Sequence, residues 1–556
     1  MDGRTPKEKL QKRWGSLKNE RSTWDSHWRE ISDHLLPRSG RFFSKKVNDG
    51  GKRHNDIYDN TATRSLRVLA AGMMAGMTSP ARPWFRLATG DLDMMKDDGV
   101  KLWLNQVTRQ MLNVFSRSNT YRALHTMYEE LGAFGTASSI VLPDYDNVIH
   151  HHPLTVGDYA IATNARGYVD TLYREFEMTV EQVVAEFGYK NCSQSTRSQY
   201  DRCNYDNWVT IIHAIEPRKE RDKDKRDGMN MPFKSCYFEV AGDKHEMLRE
   251  SGYQEFPAVC PRWSVSGGDI YGLSPGMEAL GDIKQLQHEQ LRKAQGIDYK
   301  TKPPMQVPTA LKNQGVNTLP GGVTYVDAAA QNNGIRTAFE VNLDLSHLLS
   351  DIVDVRERIR GGFYADLFLM LANNDLGRMT ATEVAERHEE KLLMLGPVLE
   401  RLHNELLDPL INMTFNRMIA SGVVPPPPPQ LQGMDLNVEF VSMLAQAQRA
   451  IGTNSVDRFV GNLGAIAGMK PDVLDKFDSD KWADIYADML GVDPELITAD
   501  DQVALVRQQR AQQEQQAQQM AMMQGGADTM AKLGSINKDE NTVANDALAA
   551  FSGYTG

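Results

Sequence analysis

The stretch from Tyr271 to Ile419 constrains the chain most, because a helical period starts, breaks off, returns and starts again within it. The first helix opens at Gly272-Leu-Ser-Pro-Gly276, where Ser274 is placed to cap and Pro275 suits the first helical position. Met277, Leu280, Ile283 and Leu286 form an apolar stripe up to the Gln-rich turn Gln287–Gln290, and Leu291, Ala294 and Ile297 resume it on a shifted phase. A returning helix is marked by Leu345, Leu348, Ile352, Val355 and Ile359, whose steps of three and four keep one face apolar. Arg360-Gly-Gly362 is its predicted end. Between the two helices, Lys302–Phe339 changes character: Pro303, Pro304, Pro308 and Pro320-Gly321-Gly322 break helix, and Val323-Thr-Tyr-Val326 is strand-like. Two helices thus leave a body, carry a small mixed module at their far end and come back.

After Gly362 the run Asn373, Asn374, Asp375, Leu376, Gly377 and Arg378 reads as a loop, flanked by the apolar Leu367–Leu371. Thr380-Ala-Thr-Glu383 is a capping box that opens a third long helix. Pro397 and Pro409 lie inside that helix, each deleting a hydrogen bond and crowding the turn before it. Kinks are therefore expected near Leu393 and Glu405.

At 556 residues the chain exceeds a single core, and three or four domains are expected. Its opening helix carries Leu10, Trp14, Leu17, Trp24, Trp28, Ile31 and Leu35 on one stripe, up to a stop at Pro37. Arg21 falls on the same stripe and is expected to bend its head to solvent. The three tryptophans are expected to pack on another helix or on a neighbouring subunit. Val68–Met77 reads as a buried helix whose small residues permit close approach, far short of the ~20 apolar residues of a membrane span. Thr78–Phe85 is a rigid turn with an aromatic anchor, and Leu102–Phe134 is helical up to Gly135-Thr-Ala137.

Ser138–Asp146 and His151–Tyr173 read as β-rich, Val180–Phe187 as a short helix, and Val209–Ile215, Lys234–Val240 and Phe256–Trp263 as strands. Pro425–Pro429 is a polyproline spacer, Asn437–Val441 a strand, and Leu444–Gly468 and Asp480–Met489 helical. Thr498-Ala-Asp-Asp501 caps a last helix that runs through a Gln-rich tract to Met523, and the residues from Gly525 onward are left unassigned as a flexible tail. The fold class is α+β, mostly α.

A net charge of −11 argues against indiscriminate affinity for nucleic acid or anionic membrane. Cys192, Cys203, Cys236 and Cys260 have no metal spacing, and reduced thiols in a cytoplasmic setting are expected. Met1–Arg13 is charged with no apolar core behind it, so no signal peptide is expected.

Chemical motifs are few, and no catalytic residue, cofactor or metal is expected. Gly272-Leu-Ser274-Pro-Gly276 matches the spacing of a serine-hydrolase nucleophile elbow. The elbow needs a backbone N–H from the residue after the serine, and Pro275 has none. His150-His-His152 lacks a partner at metal-binding spacing and reads as a loop or strand end, and His388-Glu-Glu-Lys-Leu392 lacks the second histidine of a zincin. No Gly-Lys-Ser/Thr phosphate loop is present in the sequence.

The order of signals resembles the head-to-tail connector, or portal, proteins of short-tailed bacteriophages. The pieces that carry the resemblance are Ile57-Tyr-Asp-Asn-Thr-Ala62, Thr78-Ser-Pro80 with Pro83-Trp-Phe-Arg-Leu87, Phe134-Gly-Thr-Ala137, Tyr271-Gly-Leu-Ser-Pro275 and Met379-Thr-Ala-Thr-Glu383, followed by the Gln-rich tail. The resemblance covers residues 10–520 and implies a ring of about twelve copies at one capsid vertex. Residues 1–270 would be the wing, 271–299 and 342–362 the stem, and 300–341 the clip that meets the large terminase and later tail adaptor proteins. Residues 363–379 would be the tunnel loop, 380–440 a kinked tunnel-side helix returning to the wing, 441–523 a helical crown, and 524–556 a tail.

Capsid and scaffold proteins are the other implied partners, with no membrane, and double-stranded DNA passes transiently through the channel during packaging and ejection. The site residues so implied are the DNA-facing loop Asn373–Arg378 and the clip prolines and glycines Pro303, Pro304, Pro320, Gly321 and Gly322. The implied location is the virion, after assembly in the host cytoplasm. Between Asp344 and Arg417 there are 13 acidic against 8 basic residues, a net of −5, which suits a wall that must not grip phosphate. Two other readings stand beside this one, a cytoplasmic helical scaffold and a hydrolase using Ser274.

Overall fold

The structure is a computed structural model. It describes residues 5–42, 51, 56–90, 97–225, 227–242, 247–306, 336–337, 346–372, 394–431, 436–441, 459–466, 470, 472, 477–490, 498 and 502–517. Two compact units divide the chain at Gly452/Thr453.

The first unit begins with α1 (Pro6–His34), opened by a capping box between Thr5 and Glu8. Then come α2 (Thr61–Met77), β1 (Phe85–Thr89), α3 (Asp98–Arg117) and α4 (Thr120–Phe134). The predicted single helix over 102–134 is thus two, broken where Ser118 turns extended and its hydroxyl bonds Thr120. A β-rich stretch follows: β2 (Ser138–Asp144), β3 (Val148–Leu154), β4 (Tyr159–Thr163) and β5 (Val169–Thr179), then α5 (Val180–Phe187) and α6 (Gln194–Asp201). It closes with β6 (Trp208–Pro217), β7 (Phe233–Glu239), β8 (Arg249–Tyr253) and the two-residue β9 (Ala258–Val259). The strand expected over Phe256–Trp263 shrinks to that pair plus a bridge from Arg262 to Thr136.

Strands β4-β5-β6-β7-β8 form an antiparallel sheet in that order. Alternation along β6 sends Ile212 and Ala214 to one face and Ile211 to the other. α1 covers the first face with Leu10, Trp14 and Leu17, and α5 covers the second with Val183 and Phe187. The tryptophans of α1 are therefore spent inside the chain. Trp14 stacks on Tyr173 and donates to Glu175 Oε2 at 3.2 Å, and Trp28 meets Tyr271 edge-on and donates to the Phe134 carbonyl at 3.0 Å. Arg21 is not at the surface as expected. It is buried, paired with Asp25 at 3.0 Å, and donates to the Tyr159 carbonyl of the edge strand β4, which gives its charged head a partner beneath the stripe.

The largest core gathers α2, α3, α4, the β2-β3-β9 sheet and the helices that follow. Close approach in α2 is real: a Cβ on Gly72 would lie 2.2 Å from the Phe368 ring. The helical excursion starts with α7 (Pro275–Glu278) and α8 (Leu280–Thr301), running unbroken through Gln287–Gln290. At its far end β10 (Met305–Gln306) pairs antiparallel with β11 (Arg336–Thr337), and α9 (Ser346–Gly362) returns. The strand expected at Val323–Val326 lies outside the described residues.

Tyr364, at φ +52°, turns the chain into α10 (Ala365–Ala372). The capping box at Thr380/Glu383 and the kink near Leu393 lie outside the described residues. The kink near Glu405 is present in another form: α11 (394–402) passes into a π-turn, His403–Leu407, before α12 (Asp408–Ala420). Pro409 has no N–H for the Glu405 carbonyl, and the Asp408 N–H reaches back to the His403 carbonyl, in the wider register. β12 (Leu436–Phe440) then pairs with β1, so Phe85, expected only as an aromatic anchor, also opens a strand.

In the second unit the described residues form α13 (459–466), α14 (Ser479–Leu490) and α15 (502–517). Arg507 on α15 holds Asp480 on α14 through both guanidinium nitrogens, at 2.6 and 2.7 Å. α15 is exposed along nearly its whole length, as its glutamines require.

Candidate functional site at the base of the helical stem

The sequence pieces that stood out separately meet where the helical excursion leaves the body. Gly135 ends α4 at φ +75°, and its carbonyl accepts the Trp263 N–H at 2.9 Å. A Cβ on Gly135 would sit 2.2 Å from the Gly272 carbonyl oxygen, so no other residue fits. Gly272 N–H donates to Thr136 Oγ1 at 2.8 Å. Ser274 Oγ accepts the Met277 N–H at 3.0 Å and donates to the Ala133 carbonyl at 2.7 Å. Phe134–Ala137 and Tyr271–Pro275 are thus two sides of one joint.

A second joint fastens α8 and α9 at once. Gln287, buried on α8, accepts the N–H groups of Tyr58 and Asp59 at 2.7 and 2.8 Å through Oε1 and returns a bond to the Asp59 carbonyl at 2.9 Å. The Asp59 carboxylate takes the Thr61 N–H and hydroxyl at 2.9 and 2.5 Å, Gln290 from α8 at 3.0 Å, and Arg356 from α9 at 2.7 and 3.1 Å. Burial raises the Asp59 pKa, but the bonds from Thr61 and Arg356 outweigh it and hold the carboxyl below its ordinary value. The carboxylate form of the joint is lost only as pH falls below the ordinary aspartate range.

The π-turn has its own clamp. Glu405 accepts from the Arg262 backbone N–H at 3.0 Å, from Nε at 3.1 Å and from Nη2 at 2.7 Å, with the pair almost shut from water at 4% and 11% exposure. Arg401 reaches the same carboxylate at 3.5 Å. His403 stacks on Phe440 at 4.0 Å, which fixes the turn against β12, and burial lowers the His403 pKa to about 4, so the ring is neutral.

Ser274 Oγ is occupied as a cap and a donor, and among the described residues no base is hydrogen-bonded to it. His150 and His151 lie within β3 and point to opposite faces, rather than at a loop or strand end. Among the described residues no three His, Cys, Asp or Glu side chains gather to hold a metal, and no helix is long and apolar enough to cross a membrane. None of the four cysteines is in a disulfide, and burial pushes Cys236 and Cys260 up to about 12. Pro303 and Pro304 follow the C-terminal end of α8, between it and β10. Pro320, Gly321, Gly322 and the loop Asn373, Asn374, Asp375, Leu376, Gly377 and Arg378 lie outside the described residues.

The geometry is that of joints that hold a two-helix projection on a mixed body. The model of the bacteriophage head to tail connecting protein family matches residues 7–497, and the chain belongs to that family. It is 67% identical over its whole length, and that of the relative, to a probable portal protein of Bordetella phage BPP-1. It is 47% identical to the portal protein of Salmonella phage epsilon15, with 99% of each chain covered. Among solved structures it resembles a chain in the neck of an empty gene-transfer-agent particle at 10% identity and a TM-score of 0.36, covering 73% of this chain and 86% of that one. A chain from the neck of the native particle gives a TM-score of 0.33 with the same coverage and identity.

Proposed function

We propose that the chain is a portal subunit that closes with about eleven copies of itself into a ring at one capsid vertex. Double-stranded DNA enters and leaves through the central channel. In this reading 1–270 is the wing, facing capsid and scaffold proteins, 271–299 and 342–362 the stem, and 300–341 the clip, offering Pro303, Pro304, Pro320, Gly321 and Gly322 to the large terminase and later to tail adaptors. Residues 363–379 are the tunnel loop, 380–440 the kinked helix and return to the wing, 441–523 the crown and 524–556 the tail. The ring is built in the host cytoplasm and stays in the virion.

Beyond family membership, one observation carries the assembly. Along the stem, the halves near the body are buried within the chain, by Ile283 and Leu286 on α8 and Ile352, Val355 and Ile359 on α9. The outward positions and far halves keep Ile297, Tyr299, Leu349 and Val353 exposed by 42, 49, 43 and 52%. Identical neighbours related by a rotation would cover such side chains, and head-to-tail contacts of that kind close into a ring.

Light scattering coupled to size exclusion should give a mass many times 62.4 kDa, and electron micrographs should show rings with a central hole. A monomer or dimer across a wide concentration range refutes the proposal. Deleting Asn373–Gly377 should leave rings and terminase binding intact while lowering the DNA packaged or retained. Packaging and retention equal to the parent would make that loop a mere connector.

A further inference from the structure

One aromatic side chain is held out from the body on a constrained turn. Strands β2 and β3 meet in a hairpin whose loop is Tyr145-Asp146-Asn147. Tyr145 is wholly exposed, against at most 63% for any other large hydrophobic side chain described. Scattered exposed aromatics are ordinary, but this one is fixed in place. Asp144 accepts the Asp146 N–H and the Asn147 side-chain amide, both at 3.2 Å, which closes the loop. At its base Val148 has φ +69°, and the Ile149 N–H reaches the Asn147 carbonyl at 2.8 Å. That is a γ-turn of the rare, strained hand, centred on a β-branched residue that strongly disfavours positive φ. Val148 packs against the largest core, so the body supports the strain. The tip is a rigid knob, a tyrosine between two aspartates.

A complement to it lies on the outer face of α1. Lys12 and Arg13 follow Lys9 by three and four residues, so the three exposed cations share one face of the helix. Ser16 continues that face and Gly15 borders it, and a Cβ on Gly15 would meet nothing within 4 Å. We propose that the Tyr145 knob of one copy docks on the α1 face of a second copy. Asp144 and Asp146 then oppose Lys9, Lys12 and Arg13, and the phenol lies over Gly15 and Ser16. Arg13 can also stack on the aromatic face. Tyrosine and arginine recur at the energetic centres of interfaces. The net charge of −11 makes much of any copy repel an acidic knob, which directs it to a basic face. Tyr145, being wholly exposed, makes no such contact within its own chain. Knob and face are different patches, so the contact is head-to-tail, the kind that closes into a ring. The inference rests on the ring reading and names one contact within it.

The test uses the full chain, first with a photoreactive benzoylphenylalanine in place of Tyr145. Irradiated assemblies should give a product of twice the chain's mass, joined to a peptide within 9–19. Lys12→Glu and Asp146→Lys should each raise the concentration at half assembly by about tenfold, and the double swap Lys12→Glu/Asp146→Lys should bring it back. Both side chains are exposed, so each variant should melt with the parent. Products joined elsewhere overturn the proposal and leave the ring reading intact. So do single changes that assemble like the parent, or a double swap no better than the single changes. A parent that stays monomeric overturns the ring reading itself, and this contact with it.

Discussion

Glu405→Gln tests whether the π-turn is held by its ion pair or merely tolerated by the helix. The substitution keeps the shape of the side chain but leaves Arg262, 4% exposed, charged and facing one amide oxygen in place of a carboxylate. Removing one partner of a buried pair costs ~3–5 kcal/mol, while replacing both with apolar groups of similar volume is often neutral. Arg262 keeps its bonds to the Gly167 carbonyl at 2.8 Å and the Ile270 carbonyl at 3.4 Å, so the lower end, ~3 kcal/mol, is expected. The first unit spans Met1–Gly452. At ~2.1 cal/mol/K per residue its unfolding entropy is ~0.9 kcal/mol/K, and ~3 kcal/mol lowers Tm by ~3 °C. Calorimetry should show that shift for Glu405→Gln and a smaller one for Arg262→Met/Glu405→Met. Amide exchange should quicken most over 403–413. A single variant that melts with the parent, or a double variant that melts below the single, refutes the clamp.

Two other substitutions probe the body and the first joint. Glu130 on α4 is buried, which raises its pKa to about 7 despite bonds from Thr155 Oγ1 at 2.7 Å and the Val156 N–H at 3.4 Å. Between the ordinary glutamate range and about 7 the unfolded chain has lost this proton while the folded chain keeps it, so stability falls as pH rises through that window. Glu130→Gln should therefore gain up to ~3 kcal/mol on the parent at pH 8 and little at pH 4.5, read as a difference between melting curves; an equal effect at both would show that the carboxyl does not titrate there. Ser274→Ala should cost ~0.5–2 kcal/mol as a lost cap and leave the assembly's mass unchanged, and an esterase activity that vanished with it would restore the hydrolase reading.

Where a residue's neighbours in sequence are also its neighbours in space, the chain announced its fold. Ile352, Val355 and Ile359 are buried along one face of α9 as their spacing demands, and Val180–Phe187 is a helix between the predicted ends, with a capping box at Thr179 and Gln182. Proline chemistry was legible as well, since Pro409 does disturb the turn before it, although as a widened helical turn instead of a bend. Arg21 was misplaced because a basic residue on an apolar stripe ordinarily finds water, and nothing local reveals that the Tyr159 carbonyl waits beneath it, 138 residues away. β1 was missed because Phe85–Thr89 is too short to show alternation, and its partner β12 lies some 350 residues on.

The polar joints were the least legible part, and the reason is the same distance. Asp59 stood inside a recognised run, but its role depends on Gln287, 228 residues away, and on Arg356, 297 residues away. Glu405 and Arg262 are 143 residues apart, and neither occupies a position that periodicity marks. An apolar stripe declares that it must be buried against something; a single charged residue declares nothing until its partner is in place. The residues that secure the α8–α9 pair thus answer to contacts between elements, whereas those that form it answer to the period within each one.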